Sequence, residues 1–148
     1  MKNTFIADLP FGKKYEEKLL HYLPNIFSHS YSSGKCKAYD VKVITNEGAE
    51  ILYEVKADRF TARTGNICIE FSCRGEKSGI TTTEAGYYAI FVVQNTPKGK
   101  EDDLYIVETD YIRKLIKDSK YHMIMDCGYE KKSRCYLFSE KLFTGFKI

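Results

Sequence analysis

Several things are scarce in this 148-residue chain. No apolar run approaches the ~20 residues that a bilayer-crossing helix needs; the uncharged stretch 85–97 has only 13. The opening MKNTFIAD carries no apolar run of signal-peptide length before Asp8, so the expected location is inside a cell, in the cytoplasm. No internal repeat, low-complexity tract or Pro/Ser-rich linker divides the chain. Its 3 prolines, at 10, 24 and 97, fall where elements are expected to start or stop. One domain over 1–148 is therefore expected. Charge of one sign is not in excess. A net +3 from 23 basic and 20 acidic side chains permits nucleic-acid binding without arguing for it. The 5 cysteines, at 36, 68, 73, 127 and 135, are odd in number and include no C-x-x-C pair. Neither a disulfide framework nor a zinc ribbon is expected; they read as small apolar residues in a reducing compartment.

What is present is enough apolar material for a core. Hydrophobic residues make up 43% of the chain, and 12 tyrosines and 9 phenylalanines exclude a disordered, solvating polymer. Residues 11–23, FGKKYEEKLLHYL, place Tyr15, Leu19, Tyr22 and Leu23 on one helical stripe that Pro24 ends. Glu16 lies at the edge of that stripe and Glu17 points toward water. Residues 25–37 are polar and read as a loop. AYDVKVI (38–44) and EILYEVKA (50–57) read as two strands joined by a tight turn with Asn46 and Gly48. NICIEFSC (66–73) continues them as a third strand. Thr81-Thr82-Thr83-Glu84 has capping-box spacing and predicts a short helix. YYAIFVVQ (87–94) reads as a central strand covered on both faces. A polar loop at 97–100, a strand over 103–108, an amphipathic helix over 110–118 and a last strand near Cys135–Phe138 complete the order. This alternation implies an α/β fold with a mixed central β-sheet flanked by helices.

Two residues are wrong for a simple sheet. If the hairpin centres on Glu47, Asp40 and Glu54 sit opposite each other, and two opposed carboxylates repel. A fold tolerates that when one is protonated or a cation sits between them. Mg²⁺ or Mn²⁺ takes oxygen ligands and keeps several waters, so a two-carboxylate site open to solvent suits it. Lys56, two residues beyond Glu54 on the same face, could orient or help deprotonate a water and offset phosphate charge. Glu16 could add a carboxylate from the helix.

Asp40 followed by Glu54-Val55-Lys56 on consecutive strands resembles the D…(D/E)-x-K signature of the restriction-endonuclease-like PD-(D/E)XK nucleases. Gly12-Lys13-Lys14-Tyr15-Glu16 resembles the helical glutamate motif of Holliday-junction resolvases and related phage nucleases, and 78–91 resembles their helix-into-strand region. The likeness spans residues 12–93. Tyr39 stands where the family name records a proline, a position that carries no chemistry. The (D/E)-x-K string alone is weak, since it recurs at 16–18, 118–120 and 130–132. What the resemblance implies is a restriction-endonuclease-like core and a metal-dependent endodeoxyribonuclease. Asp40, Glu54 and the Val55 carbonyl would hold the metal, Lys56 would act at the attacking water, and Glu16 would assist.

Around this constellation, Lys13, Lys14, Lys35, Lys37, Arg59, Arg63, Arg74 and Lys77 would form a phosphate-contacting rim, with Thr82 and its neighbours offering amides and hydroxyls. The small size suits a homodimer cutting both strands of a symmetric substrate. Bland readings stand beside these. Asp40 and Glu54 could pair with Lys42 and Lys56 on a solvated face, Glu16 could make an i,i+4 contact, and Glu70 reads more simply as surface. A nuclease-fold protein whose site is unused, acting as a nucleic-acid-binding or assembly module, is the alternative function.

Overall fold

The computed structural model describes residues 4–33, 38–94 and 101–148, without the side chains of 4–10 and 129. Helix α1 spans Thr4–Leu19 and tightens into a 3₁₀ turn over Leu20–Tyr22 before Pro24. The stripe expected from the sequence is the packed one, with Tyr15 and Leu19 buried and Glu17 exposed. The helix begins earlier than expected, and Pro10 lies within it rather than at a border. Burial of its second half, not propensity, holds it.

The segment expected to be a loop contains strand β1, Ile26–Tyr31, paired antiparallel with β2, Val41–Thr45. It is an edge strand whose Phe27, Ser28, His29 and Ser30 are all exposed, so it lacks the apolar alternation that marks a half-buried strand. β3 runs Glu50–Asp58 and pairs with β2 in the expected register: Val41 faces Tyr53, Lys42 Leu52, Val43 Ile51 and Ile44 Glu50. β3 then pairs in parallel with β6, Tyr87–Val92, which pairs antiparallel with β7, Asp103–Glu108. This mixed sheet has the order β1-β2-β3-β6-β7.

The expected third strand exists as β4, Asn66–Cys73, but it belongs to a second sheet with β5 (Glu76–Lys77), β8 (Met123–Cys127) and β9 (Ser133–Ser139), in the order β5-β4-β9-β8. The meander is therefore β1-β2-β3. The diversion is made by α2, Thr61–Thr64, and Gly65 at φ +72°, a left-handed conformation that suits glycine. The helix expected from Thr81 is only a 3₁₀ turn over Gly79–Thr81 with no side-chain cap. The Thr81 hydroxyl donates to the Phe71 carbonyl at 2.9 Å instead of capping. Helix α3, Thr109–Lys117, buries Ile112 and Leu115, and a 3₁₀ segment follows β9 over Glu140–Phe146. The loop expected at 97–100 lies outside the described residues.

β6 is the wall between two apolar clusters, as its continuous apolar run foretold. Ala89 and Phe91 pack with Tyr15, Leu19, Val41, Val43 and Tyr53 under α1. Tyr88, Ile90 and Val92 pack with Ile67, Ile69, Phe138, Ile112 and Phe143 from the second sheet, α3 and the last turn. No helix among the described residues is long and apolar enough to cross a membrane.

The cysteines depart from the sequence reading. Cys127 and Cys135 form a disulfide between β8 and β9. The register sets Cys135 opposite Met125 and Cys127 opposite Ser133, so the two lie diagonally on neighbouring strands. A spacing of eight residues hides that adjacency from sequence inspection. Cys36 lies outside the described residues.

Candidate active site

The side chains of β3 alternate. Tyr53 joins the apolar cluster under α1, with Val55 and Ala57 packed against it, which leaves Glu54, Lys56 and Asp58 on the other face. Asp58 is a structural carboxylate. One of its oxygens accepts the N–H groups of Phe60 and Thr61, both at 2.9 Å, and the other accepts that of Cys68 at 3.4 Å.

Glu54 is treated differently. Burial pushes its carboxyl well up, and the neighbouring Asp40 pushes it further, to about 8; the charges of Glu70 and Glu16 add to the effect, and only the Thr83 hydroxyl opposes it. The Thr83 Oγ1 lies 2.9 Å from Glu54, 3.1 Å from the Ala38 carbonyl and 3.1 Å from the Ala85 N–H, which it accepts. A hydroxyl has one proton to give. Thr83 therefore shares that one proton between the Glu54 carboxylate and the Ala38 carbonyl, which leaves Glu54 weakly served by donors.

Asp40 stands one residue before β2, where the chain steps off the ladder and its own N–H donates to the Tyr53 carbonyl at 2.9 Å. Its carboxylate returns to β3 and accepts the Val55 N–H at 2.8 Å. Burial raises its pKa and that hydrogen bond restrains the rise. Asp40 is thus beside Glu54 rather than a rung of the hairpin, and Val55 is tied to the site through its amide. The cross-strand ion pair that does form on this hairpin is Lys42 with Glu50, at 4.0 Å. Among the described residues, neither Asp40 nor Glu54 has a basic partner within 4 Å.

Glu16 arrives from α1. The helix is anchored by Tyr15 and Lys18, which donate to Asp102 at 2.7 and 3.0 Å while Asp102 also accepts the Gln94 N–H. That anchor turns Glu16 toward Asp40; burial first and the Asp40 charge second raise its pKa, against the effect of Lys13. Glu70, read more simply as surface from the sequence, also belongs here. It accepts the Ser78 hydroxyl at 2.9 Å, and its charge is felt at Glu54. The charges of Asp40, Glu70 and Glu16 thus all reach Glu54, although among the described residues no three carboxyl groups place oxygens within 4.8 Å of one another.

Two neighbours carry no sequence signal for this site. Tyr88, directly across the parallel ladder from Glu54, is 3% exposed, and its hydroxyl has no partner among the described residues. Burial, then the Glu54 charge, hold this phenol well above its ordinary pKa. Arg113 on α3 donates to the Thr83 carbonyl at 3.0 Å. Both sit in runs that read as core strand and amphipathic helix.

Of the expected basic rim, the structure ties Lys13 to a site carboxyl. Lys13 pairs with Glu16 at 3.7 Å and lies 3.9 Å from the Tyr31 ring centroid. Arg59 stacks 3.7 Å from the Phe11 ring centroid, Arg63 lies 5.5 Å from that of Phe60, and Lys14 5.8 Å from that of Tyr15. Arg74 and Lys77 are exposed on the β4–β5 hairpin. Thr82 turns its hydroxyl to the Gly79 carbonyl at 3.4 Å, so the threonine that touches the site is Thr83. Lys35 and Lys37 lie outside the described residues.

Neighbouring carboxyls, with that of Glu54 pushed up to about 8, are the ligand type a hard divalent cation takes, although among the described residues the one trio of ligating side chains close enough to hold an ion is the cysteine group of β4, β8 and β9. An orphaned buried phenol beside them fits the same reading, because a buried hydroxyl is normally satisfied by protein, water or ligand. No protein-family model, curated protein or solved structure matches the chain.

Proposed function

We propose that the chain is a metal-dependent endodeoxyribonuclease with a restriction-endonuclease-like core, hydrolysing DNA phosphodiester bonds at the Asp40–Glu54 site. The observation that carries this reading is the Glu54 carboxyl held up to about 8 beside Asp40, with no cationic side chain within 4 Å among the described residues. Leaving buried carboxyls so placed costs stability, and a divalent cation removes the cost. Asp40 and Glu54, with the Val55 carbonyl, would hold Mg²⁺ or Mn²⁺, which supplies charge to neutralise the phosphate and to acidify a bound water.

The chain's own residues then do the following. Lys56, on the Glu54 face of β3, orients the attacking water and balances phosphate charge. Glu16 assists from α1. Thr83 fixes the Glu54 carboxyl, and Arg113 fixes the Thr83 loop. Lys13, Lys14, Arg59, Arg63, Arg74 and Lys77 track the phosphates, which positions DNA without reading its sequence. A substrate defined by shape, such as a four-way junction or flap, suits this set, and two copies acting together suit a symmetric one.

The test is cleavage of labelled junction, flap, duplex and single-stranded DNA with and without Mg²⁺, alongside thermal unfolding in the same buffers. Mg²⁺-dependent cleavage and a higher Tm with Mg²⁺ are expected in the wild type, and both disappear in Asp40→Asn. Lys56→Ala is expected to lose turnover and keep DNA binding. A Tm indifferent to divalent ions, with no cleavage of any substrate, rejects the reading.

A further inference from the structure

A second cluster of metal-ligating side chains lies in the other sheet. Cys68, Cys127 and Cys135 come from β4, β8 and β9, where β9 lies between its two neighbours. Their sulfur atoms all lie within 4.8 Å of one another, and Cys68 Sγ is 3.6 Å from Cys127 Sγ. Three thiolates at tetrahedral positions about a zinc ion, each with a Zn–S bond of about 2.3 Å, stand about 3.8 Å apart. A disulfide explains two of the three. It leaves Cys68 against a bonded pair, a third sulfur at ligand spacing with no role in the bridge. Cys135 is buried, and Cys68 and Cys127 are half-buried, so the cluster is neither an exposed reactive patch nor sealed from an entering ion.

We propose that, once the Cys127–Cys135 bridge is opened, Cys68, Cys127 and Cys135 form a three-thiolate site for a soft divalent ion of the Zn²⁺ class, with its fourth position left to water or another ligand. Its ligands are none of those assigned to the carboxylate site, though the charges of Lys56 and Glu70 reach Cys68, and soft thiolates select zinc-like ions over Mg²⁺. Opening the bridge takes two electrons and two protons from a dithiol reductant, whose own two S–H groups become its disulfide. The sulfurs of Cys127 and Cys135 become thiols. Ion binding then displaces three protons, one from each cysteine. The three-strand frame exists before the ion arrives, since the β4–β9 pairing continues on either side of Cys68 and Cys135, and the β8–β9 pairing runs from Met123 down to Cys127 itself.

The experiment uses full-length protein carrying Cys36→Ser and Cys73→Ser, so that the two remaining thiols contribute nothing. The protein is reduced, freed of reductant without air, and titrated with Co²⁺ alone. One equivalent is expected to produce the intense near-ultraviolet sulfur-to-cobalt band and visible tetrahedral bands, release three protons, and leave both spectra unchanged on adding excess Mg²⁺. Zn²⁺ should bleach them. The oxidised protein should give no such band, and adding Cys68→Ser should abolish the one-equivalent endpoint while circular dichroism stays native. Absence of the charge-transfer band in the reduced three-cysteine protein overturns the proposal without recourse to any further variant. So does a band of wild-type intensity in the Cys68→Ser protein.

Discussion

At the residue scale, Glu54 and Asp58 show how one strand face can hold two carboxyl groups of opposite kind. Asp58 is surrounded by N–H donors and closes the turn into α2. Glu54 has one hydroxyl and three acidic neighbours. Because the folded protein binds the Glu54 proton more tightly than the unfolded chain, stability is greatest below about pH 4.5 for this group and falls as pH rises toward about 8, then levels off. The loss is on the order of a few kcal/mol. Calorimetry in the absence of divalent ions is expected to show this decline between pH 5 and 8 in the wild type, and a much flatter profile with a higher Tm at pH 8 for Glu54→Gln. Asp40→Ala behaves differently, because it strands the Val55 N–H and is expected to cost about 1–3 kcal/mol. The glutamate–aspartate pair was legible before the structure, since two carboxylates across a hairpin stand out against Val, Ile and Tyr. Tyr88 and Arg113 were not, because a phenol in a core strand and an arginine on an amphipathic helix have ordinary explanations in any sequence.

At the element scale, strand identity was easier to read than strand partnership. The runs at 50–57, 66–73 and 103–108 were recognisable from β-branched and aromatic residues, and the hairpin register followed from its turn. Nothing in NICIEFSC says which sheet receives it; that depends on the bend at Gly65. β1 and β8 escaped notice for a shared reason. Both lie at sheet edges with most side chains in water, so burial imposes no alternation on them. β8 carries exposed Met123, Ile124 and Met125 on an edge with free backbone groups. Ile124→Lys is expected to change stability by less than about 0.5 kcal/mol while raising the concentration at which light scattering appears. Glycines separate two kinds of turn. At Gly79, φ +54°, a Cβ would stand 2.1 Å from the Glu70 carbonyl oxygen, whereas at Gly65 it would meet nothing within 4 Å. Gly65→Ala is expected to cost about 1–2 kcal/mol of backbone strain. Gly79→Ala should cost more than that in denaturant unfolding and displace Glu70, and the proposed Mg²⁺ stabilisation should weaken with it.

For the whole molecule, β6 joins the two apolar clusters into one cooperative unit. Phe91 is buried on the α1 side and Phe138 on the side of the second sheet. Phe91→Ala and Phe138→Ala are each expected to lower stability by about 3–5 kcal/mol. Far-ultraviolet and tyrosine-fluorescence unfolding curves should remain superimposable in both, because neither cluster lacks the shared strand. Separate transitions would show that the two sheets melt independently.

The parallel pairing of β3 with β6 also sets an order of events during synthesis. The hairpin that carries Asp40 and Glu54 can close as soon as it leaves the ribosome, but its far edge waits for residues 87–92, and Arg113 follows later still. For those seconds of elongation the acidic residues remain hydrated and ordinary in acidity. Glu54 acquires its raised proton affinity only when the later strand and helix arrive to exclude water, so a nascent chain halted before Tyr88 would carry both carboxyls with ordinary acidity.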